Sequence, residues 1–292
     1  MLAALSPPAA AQSMCRVPIP LEQVGWFASL WMQLPLVLLA VLYGIGVCRL
    51  WRRGWGRGAG RGAVVCFGAG TGLLLLVTAG PLRALGAWSL AAHMAQHMVL
   101  LALVPPLLLA GRPLAVVACA LPAAWSRRLH RVLHPLQRWL GDALAPATIA
   151  HCAAMWLWHT PGGLQRALEG EVLHWTMHAS FLVAGLWFWG ALWRRIRDPV
   201  AGAVPGLVAL VVVMMQMGFI GALLTFASRP LYAVYVLRAP ELGLAPLADQ
   251  QLAGLLMWVP SCLPYLAGAA WLLWRGFGRL ERSRRPTGAV RR

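Results

Sequence analysis

The sequence predicts an all-α integral membrane protein with about seven transmembrane helices, its N-terminus outside and its C-terminus cytoplasmic. Three observations carry this. First, 60% of the 292 residues are hydrophobic and only 11% are charged, whereas a soluble domain carries roughly 25% charged residues. Second, several apolar runs reach the ~20 residues that a helix needs to cross the hydrocarbon core. They are long and lack period-two alternation, which excludes a barrel. Third, the arginines alternate between rich and poor loops along the chain, the positive-inside pattern.

Residues 1–28 read as a short outer segment. The Ala-rich stretch before Gln12 resembles the end of a signal peptide, but no basic n-region or apolar h-region precedes it, so no cleaved signal is read. The seven-helix domain covers 29–275, with helices at 29–50, 62–80, 88–110, 144–160, 171–193, 202–226 and 250–274. The first is closed by Arg49, Arg52, Arg53, Arg57 and Arg61. Arg83 stands between the second and third. The third is followed by Arg112, Arg127, Arg128, Arg131 and Arg138, inside a segment, 113–142, too polar to span. There Trp125, Leu129, Val132, Leu133 and Leu136 recur at helical spacing, as in an amphipathic helix on the cytoplasmic leaflet. Arg166 separates the fourth and fifth helices. Arg194, Arg195 and Arg197 close the fifth, and Arg229 and Arg238 lie between the sixth and seventh. A basic cytoplasmic tail, 276–292, ends the chain. The arginine-rich loops and tail hold 20 of the 25 arginines.

The net charge of +17 might suggest nucleic acid, but the basic residues cluster between apolar runs, so membrane lipid is the expected contact and nucleic acid is not. The six cysteines are scattered, with no CxxC pair, and give neither a disulfide framework nor a zinc signature. There is no internal repeat. No Ser/His/Asp arrangement, phosphate loop or paired carboxylate points to hydrolysis, and no enzymatic activity is expected.

The histidines carry the functional information. His130 and His134 sit among arginines on the amphipathic segment and read as solvated. His93 and His97 lie four apart near the outer end of the third helix, and His174 and His178 four apart near the outer end of the fifth. His159 closes the fourth helix, with His151 two turns deeper. A four-residue spacing puts both rings on one helix face. Five histidines thus fall at one depth on three consecutive helices. Ionisable groups in a bilayer are costly and mark sites, and imidazole ligates copper, zinc and haem iron. Met94, Met98, Met155, Met177 and Cys152 accompany them, and soft sulfur with imidazole suits copper, Cu(I) above all. Two facing histidine pairs equally suit bis-histidine haem. Asp249, followed by Gln250 and Gln251 at the outer start of the last helix, reads either as an acceptor orienting a ligand histidine or as a helix N-terminal residue favoured by the dipole.

Several motifs then resemble one family. They are His93-Met-Ala-Gln-His-Met98 with Pro105-Pro106 and Gly111-Arg-Pro113 beyond it; Met155-Trp-Leu-Trp-His-Thr-Pro161; His174-Trp-Thr-Met-His178 with Trp187-Phe-Trp189; and Asp249-Gln-Gln-Leu-Ala-Gly-Leu-Leu-Met-Trp258. In order and spacing they resemble the CtaG-type cytochrome c oxidase assembly factors tied to caa-type oxidases, over roughly residues 30–275. The resemblance implies a seven-helix protein of the bacterial inner membrane that matures a haem–copper oxidase. It implies copper handling or delivery on the outer side, oxidase subunits as partners and no catalytic turnover. Its matching metal-site residues are His93, His97, His159, His174 and His178, with Met94 and Met98 beside them and Asp249, Gln250, His151 and Met177 in support. One departure is that Met177 precedes His178 where the family pattern often has an acidic residue. Two other readings stand beside the assembly factor: a haem-binding membrane protein, recognisable by a Soret band, and a transporter. The second is disfavoured because polar residues gather at one surface and do not continue inward.

Overall fold

The computed structural model of the protein describes residues 30–197 and 199–284. The expected outer segment 1–28 and the tail beyond Arg284 lie outside the described residues. The described chain is helical, with no strand among its described residues. In order it forms α1 (Leu30–Trp51), α2 (Arg61–Ala79), α3 (Pro81–Gly86), α4 (Leu90–Met98), a π-helical turn (Val99–Leu103) and α5 (Val104–Ala110). Then come α6 (Pro113–Ala120), α7 (Ala123–Asp142), α8 (Leu144–His159), α9 (Pro161–Glu169) and α10 (Glu171–Arg197). The chain continues with α11 (Pro199–Phe226), α12 (Ala233–Arg238), a 3₁₀ turn (Ala239–Leu242), α13 (Pro246–Trp258) and α14 (Cys262–Arg284).

Among the described residues five stretches are long and apolar enough to cross a membrane: Gln33–Trp51, Arg61–Ala79, Leu90–Ala110, Gly202–Phe226 and Pro246–Gly278. The expected fourth and fifth spans fall outside that set for different reasons. Helix α8 has only 16 residues, about 24 Å of rise. Helix α10 has 27 residues, but its two histidines and three terminal arginines dilute its apolar run.

Two expected helices are interrupted, both at proline. The third span runs through Leu90–Ala110, but its turn at Val99–Leu103 is π-helical. Pro105 and Pro106 lack the N–H that would bond back to residues 101 and 102, and a proline ring crowds the carbonyl four residues earlier. A wider turn relieves that conflict. The last span breaks between Trp258 and Cys262, around Pro260. Ser261 Oγ donates to Leu256 O at 2.8 Å and takes up a freed carbonyl. Beyond the break α14 runs to Arg284, past the expected end at 274 and into the expected tail.

The histidine-bearing span is the most internal: 61% of its apolar stretch is buried, against 17% for α1. Helix α10 packs on α8, α11, α5 and the π turn, while α4 packs on α13 and α11 on α13 and α14. Gly185 lets α10 approach the π turn. A Cβ there would lie 2.9 Å from Leu101 O and 2.7 Å from Pro105 Cγ, closer than any side chain allows. The polar segment 113–142 forms α6 and α7. Its α6 packs on α1, whereas α7 leaves Trp125, Val132, Leu136 and Trp139 exposed. The end of α7 is tied to α10: Arg194 donates to both Asp142 carboxylate oxygens at 2.8 and 3.2 Å, and Trp187 Nε1 donates to Leu140 O.

Candidate metal centre

Two helices bring the central rings together. On α4 the side chains of His93 and His97 stack one turn apart on one face, ring centroids 4.4 Å apart. On α10 His174 and His178 do the same at 4.4 Å. The two faces meet, with His93 to His178 at 6.1 Å and His97 to His178 at 5.7 Å. The potential ligand nitrogens of His93, His97 and His178 lie within 4.8 Å of one another, and no carboxylate or thiol of the described residues joins this group. His174 flanks His93 at 5.6 Å and His159, at the end of α8, flanks His97 at 5.4 Å. All five outer histidines therefore belong to one cluster. His93, His97, His159 and His178 are buried and His174 is half-buried.

The hydrogen bonds set which nitrogens are free. His93 Nδ1 lies 3.3 Å from Gly86 O, and His159 Nδ1 lies 2.6 Å from Met155 O. A carbonyl only accepts, so each ring donates there and presents an unprotonated Nε2. Those two Nε2 atoms have no partner, and neither has any nitrogen of His97 or His178. Six imidazole nitrogens are thus buried and unpaired in one cluster. Each such group costs about 1–3 kcal/mol, so the arrangement asks for an electrophile. Three nitrogens sharing one ion at ~2.0 Å sit about 3.3–3.5 Å apart. The observed limit of 4.8 Å is somewhat wider than that. The donor set fits a soft or borderline ion such as copper.

The framework around the rings is tied down. Asp249 is buried and does not touch a histidine; its carboxylate caps α4. It accepts from Ser89 Oγ at 2.6 Å, from Leu90 N at 2.6 Å and from Ala91 N at 3.3 Å. Of the two roles weighed for it, the dipole role is the nearer, but it acts on the N-terminus of a neighbouring helix. Gln250 likewise spends its hydrogen bonds on backbone groups. It accepts from Leu231 N at 2.6 Å and donates to Leu224 O and Arg229 O, fixing the segment before α12. Tyr232 in that segment donates to His159 O at 2.6 Å, and Tyr235 donates to Gly86 O at 2.8 Å, the carbonyl that His93 also uses. Helices α3 and α12 thereby close over the cluster.

His151 lies apart. Its Nε2 is 3.0 Å from the Tyr265 hydroxyl, and its ring faces Phe188 at 4.8 Å. Met94, Met98, Met155 and Met177 are buried in the continuous apolar core, with Cys152 packed at its edge. His130 and His134 are exposed on α7. Sequence reasoning missed Ser89, Gly86, Tyr235, Arg83 and Arg238. Ser89 was findable as a serine N-cap ahead of an apolar run. The others act through contacts distant in sequence.

Over 240 residues the chain is 26% identical to an uncharacterized protein of Mycobacterium bovis and, equally, to one of Mycobacterium tuberculosis. The match covers 79% of this chain but 36% of each relative, so the chain spans about a third of the length of the curated relatives it matches. No solved structure matches it. The profile of the cytochrome c oxidase caa3 assembly factors matches residues 41–278, which include every helix that builds the histidine cluster, and the chain belongs to that family, Caa3_CtaG.

Proposed function

We propose that this protein is a non-enzymatic assembly factor that holds copper, as Cu(I), at the histidine cluster and passes it to a cytochrome c oxidase subunit. The observation that carries the reading is the convergence of His93, His97 and His178, with ligand nitrogens within 4.8 Å and no hydrogen-bond partner at His93 Nε2 or either nitrogen of His97 and His178. His159 and His174 are placed to take the ion in turn, and an ion exchanged among neutral imidazoles leaves more readily than one held by thiolates. We read α8 and α10 as spans completing a seven-helix bundle of the bacterial inner membrane. The arginine-poor end, where the cluster lies, then faces outward. Copper is favoured over haem because a macrocycle needs an open slot between its axial histidines, whereas here the rings meet at 4.4–5.7 Å edge to face, with the tilted His93–His178 pair at 6.1 Å. A transporter gains no support from the broken last span, because Ser261 takes up its freed carbonyl.

The test is an absorption spectrum with metal analysis on the purified full chain, before and after anaerobic Cu(I) addition. About one retained Cu(I) per chain is expected, lost in a His93→Ala/His97→Ala variant, with no Soret band. Cells carrying that variant should insert the protein yet fail to mature the oxidase. Copper retained equally by the variant would refute the site. A Soret band near one haem per chain would recast the same histidines as axial ligands.

A further inference from the structure

We propose that Arg83 and Arg238 set the charge selectivity of the histidine cluster, admitting a singly charged metal ion and penalising a doubly charged one. The proposal rests on the metal-holding reading of the histidines. Arg83, on α3, and Arg238, on α12, belong to the two short helices that close over the rings. Both are held in place. The Arg83 guanidinium lies 5.5 Å from the centre of the Trp175 ring, beside His174. Arg238 donates to Ala87 O at 3.2 Å, one residue beyond the carbonyl that His93 uses. Arg83 thereby stands over the residue that follows His174, and Arg238 stands beside the chain segment whose carbonyl His93 uses. Among the described residues neither guanidinium is paired with a carboxylate, and the ion pair there is Arg194–Asp142, on another helix pair. The nearby Asp249 carboxylate is spent on Ser89, Leu90 and Ala91.

The consequence follows from charge. Three imidazoles supply lone pairs but no negative charge, so an ion bound there keeps its full charge in a water-poor place. Repulsion from a fixed guanidinium scales with the ion's charge, so Zn(II) or Cu(II) suffers twice the penalty of Cu(I). Sites for divalent ions commonly include a carboxylate or thiolate that offsets this; the nitrogen cluster here includes neither. Two arginines at the arginine-poor end thus turn a generic imidazole trap into one for a monovalent ion.

The experiment measures Cu(I) and Zn(II) affinities of the purified full chain, anaerobically, by competition with chromophoric chelators. Wild type is compared with Arg83→Gln, Arg238→Gln, the double variant and the charge-keeping Arg83→Lys/Arg238→Lys. Each arginine lost should tighten Cu(I) about threefold and Zn(II) about tenfold, so the double glutamine variant loses about tenfold in selectivity. The lysine pair should keep the wild-type ratio, which a merely structural role of the guanidiniums would not achieve. The single variants give the same reading if the double one does not accumulate. An unchanged ratio in the glutamine variants, or an equal loss in the lysine pair, overturns the proposal. A His93→Ala/His97→Ala/His178→Ala variant that still binds Cu(I) like wild type overturns instead the reading beneath it.

Discussion

Replacing Asp249 by asparagine tests whether the cluster depends on how α4 begins. The carboxylate is buried and accepts three hydrogen bonds, two of them at 2.6 Å, from Ser89 Oγ and from the first N–H groups of α4. Asparagine keeps one acceptor oxygen and turns an NH₂ toward a donor. Ser89 can reorient, although its hydroxyl already accepts from Ala92 N at 3.2 Å; the Leu90 N–H cannot. The variant therefore loses one charge-assisted bond, about 1.5–3 kcal/mol, and the favourable contact of an anion with a helix N-terminus, about 0.3–1 kcal/mol. A net loss of about 2–3 kcal/mol falls on the turn that carries His93, whose own N–H bonds to Ser89 O at 3.1 Å. Metal binding must then re-form that turn, and about 2 kcal/mol of it lowers Cu(I) affinity roughly 30-fold. The assay pairs thermal unfolding in detergent with Cu(I) competition. A variant destabilised by the expected amount but binding Cu(I) as wild type would show that Asp249 supports the fold and not the site. A variant unchanged in both would refute the capping argument itself.

Three further substitutions separate site from scaffold. Tyr265→Phe strips His151 of its hydroxyl partner at 3.0 Å and should lower stability by about 1–2 kcal/mol in thermal unfolding while leaving Cu(I) affinity unchanged; a drop in affinity would place His151 in the metal path. Gly185→Ala pushes a Cβ against Leu101 O and Pro105 Cγ and should cost about 1–3 kcal/mol, read as a lower unfolding midpoint and looser copper. His97→Leu replaces a buried ring having two unpaired nitrogens with an apolar side chain of similar size. It should match or exceed wild type in metal-free stability by about 1–2 kcal/mol and lose Cu(I). A clearly destabilised His97→Leu would mean that the ring has a partner and is not waiting for an ion.

The legible parts of this protein were those written in local periodicity. Apolar runs and arginine blocks located most helices to within a few residues, since a span must be continuous in sequence to satisfy its backbone in lipid. The four-residue spacing of His93/His97 and His174/His178 fixes each pair on one face. Their meeting with His159 then needed only neighbouring helices. Less legible were features in which one segment answers another. Pro105-Pro106 and Pro260 are visible as breakers, but whether a proline yields a π turn or a full break depends on what takes up the freed carbonyls, and at Pro260 that is Ser261. Asp249 looked like a cap for its own helix or a partner for a histidine. Its actual partners lie about 160 residues earlier, and no spacing rule reaches that far. In the sequence Arg83 and Arg238 read only as members of arginine-poor loops, because their place beside the rings comes from the folding of α3 and α12 over the cluster.

The supports and the unsatisfied rings make sense together. Left alone, unpaired imidazoles would rotate toward carbonyls or collapse on one another, as buried polar groups do when they can find partners. Here they are held from doing so. Asp249 fixes the start of α4, Gly185 seats α10 against the π turn, and Gly86 O takes only the Nδ1 side of His93. The cluster therefore keeps a local cost that the surrounding core offsets, and an ion bound as proposed would remove the cost without reorganising a helix. Rigid supports of this kind favour fast capture. Release would be favoured by the same neutrality, since among the described residues no thiolate or carboxylate in the nitrogen cluster would have to be reprotonated as the ion left. A carrier has to satisfy both conditions. A permanent metal centre need satisfy only the first, which is why the donor chemistry, more than the burial, argues for a copper that moves on.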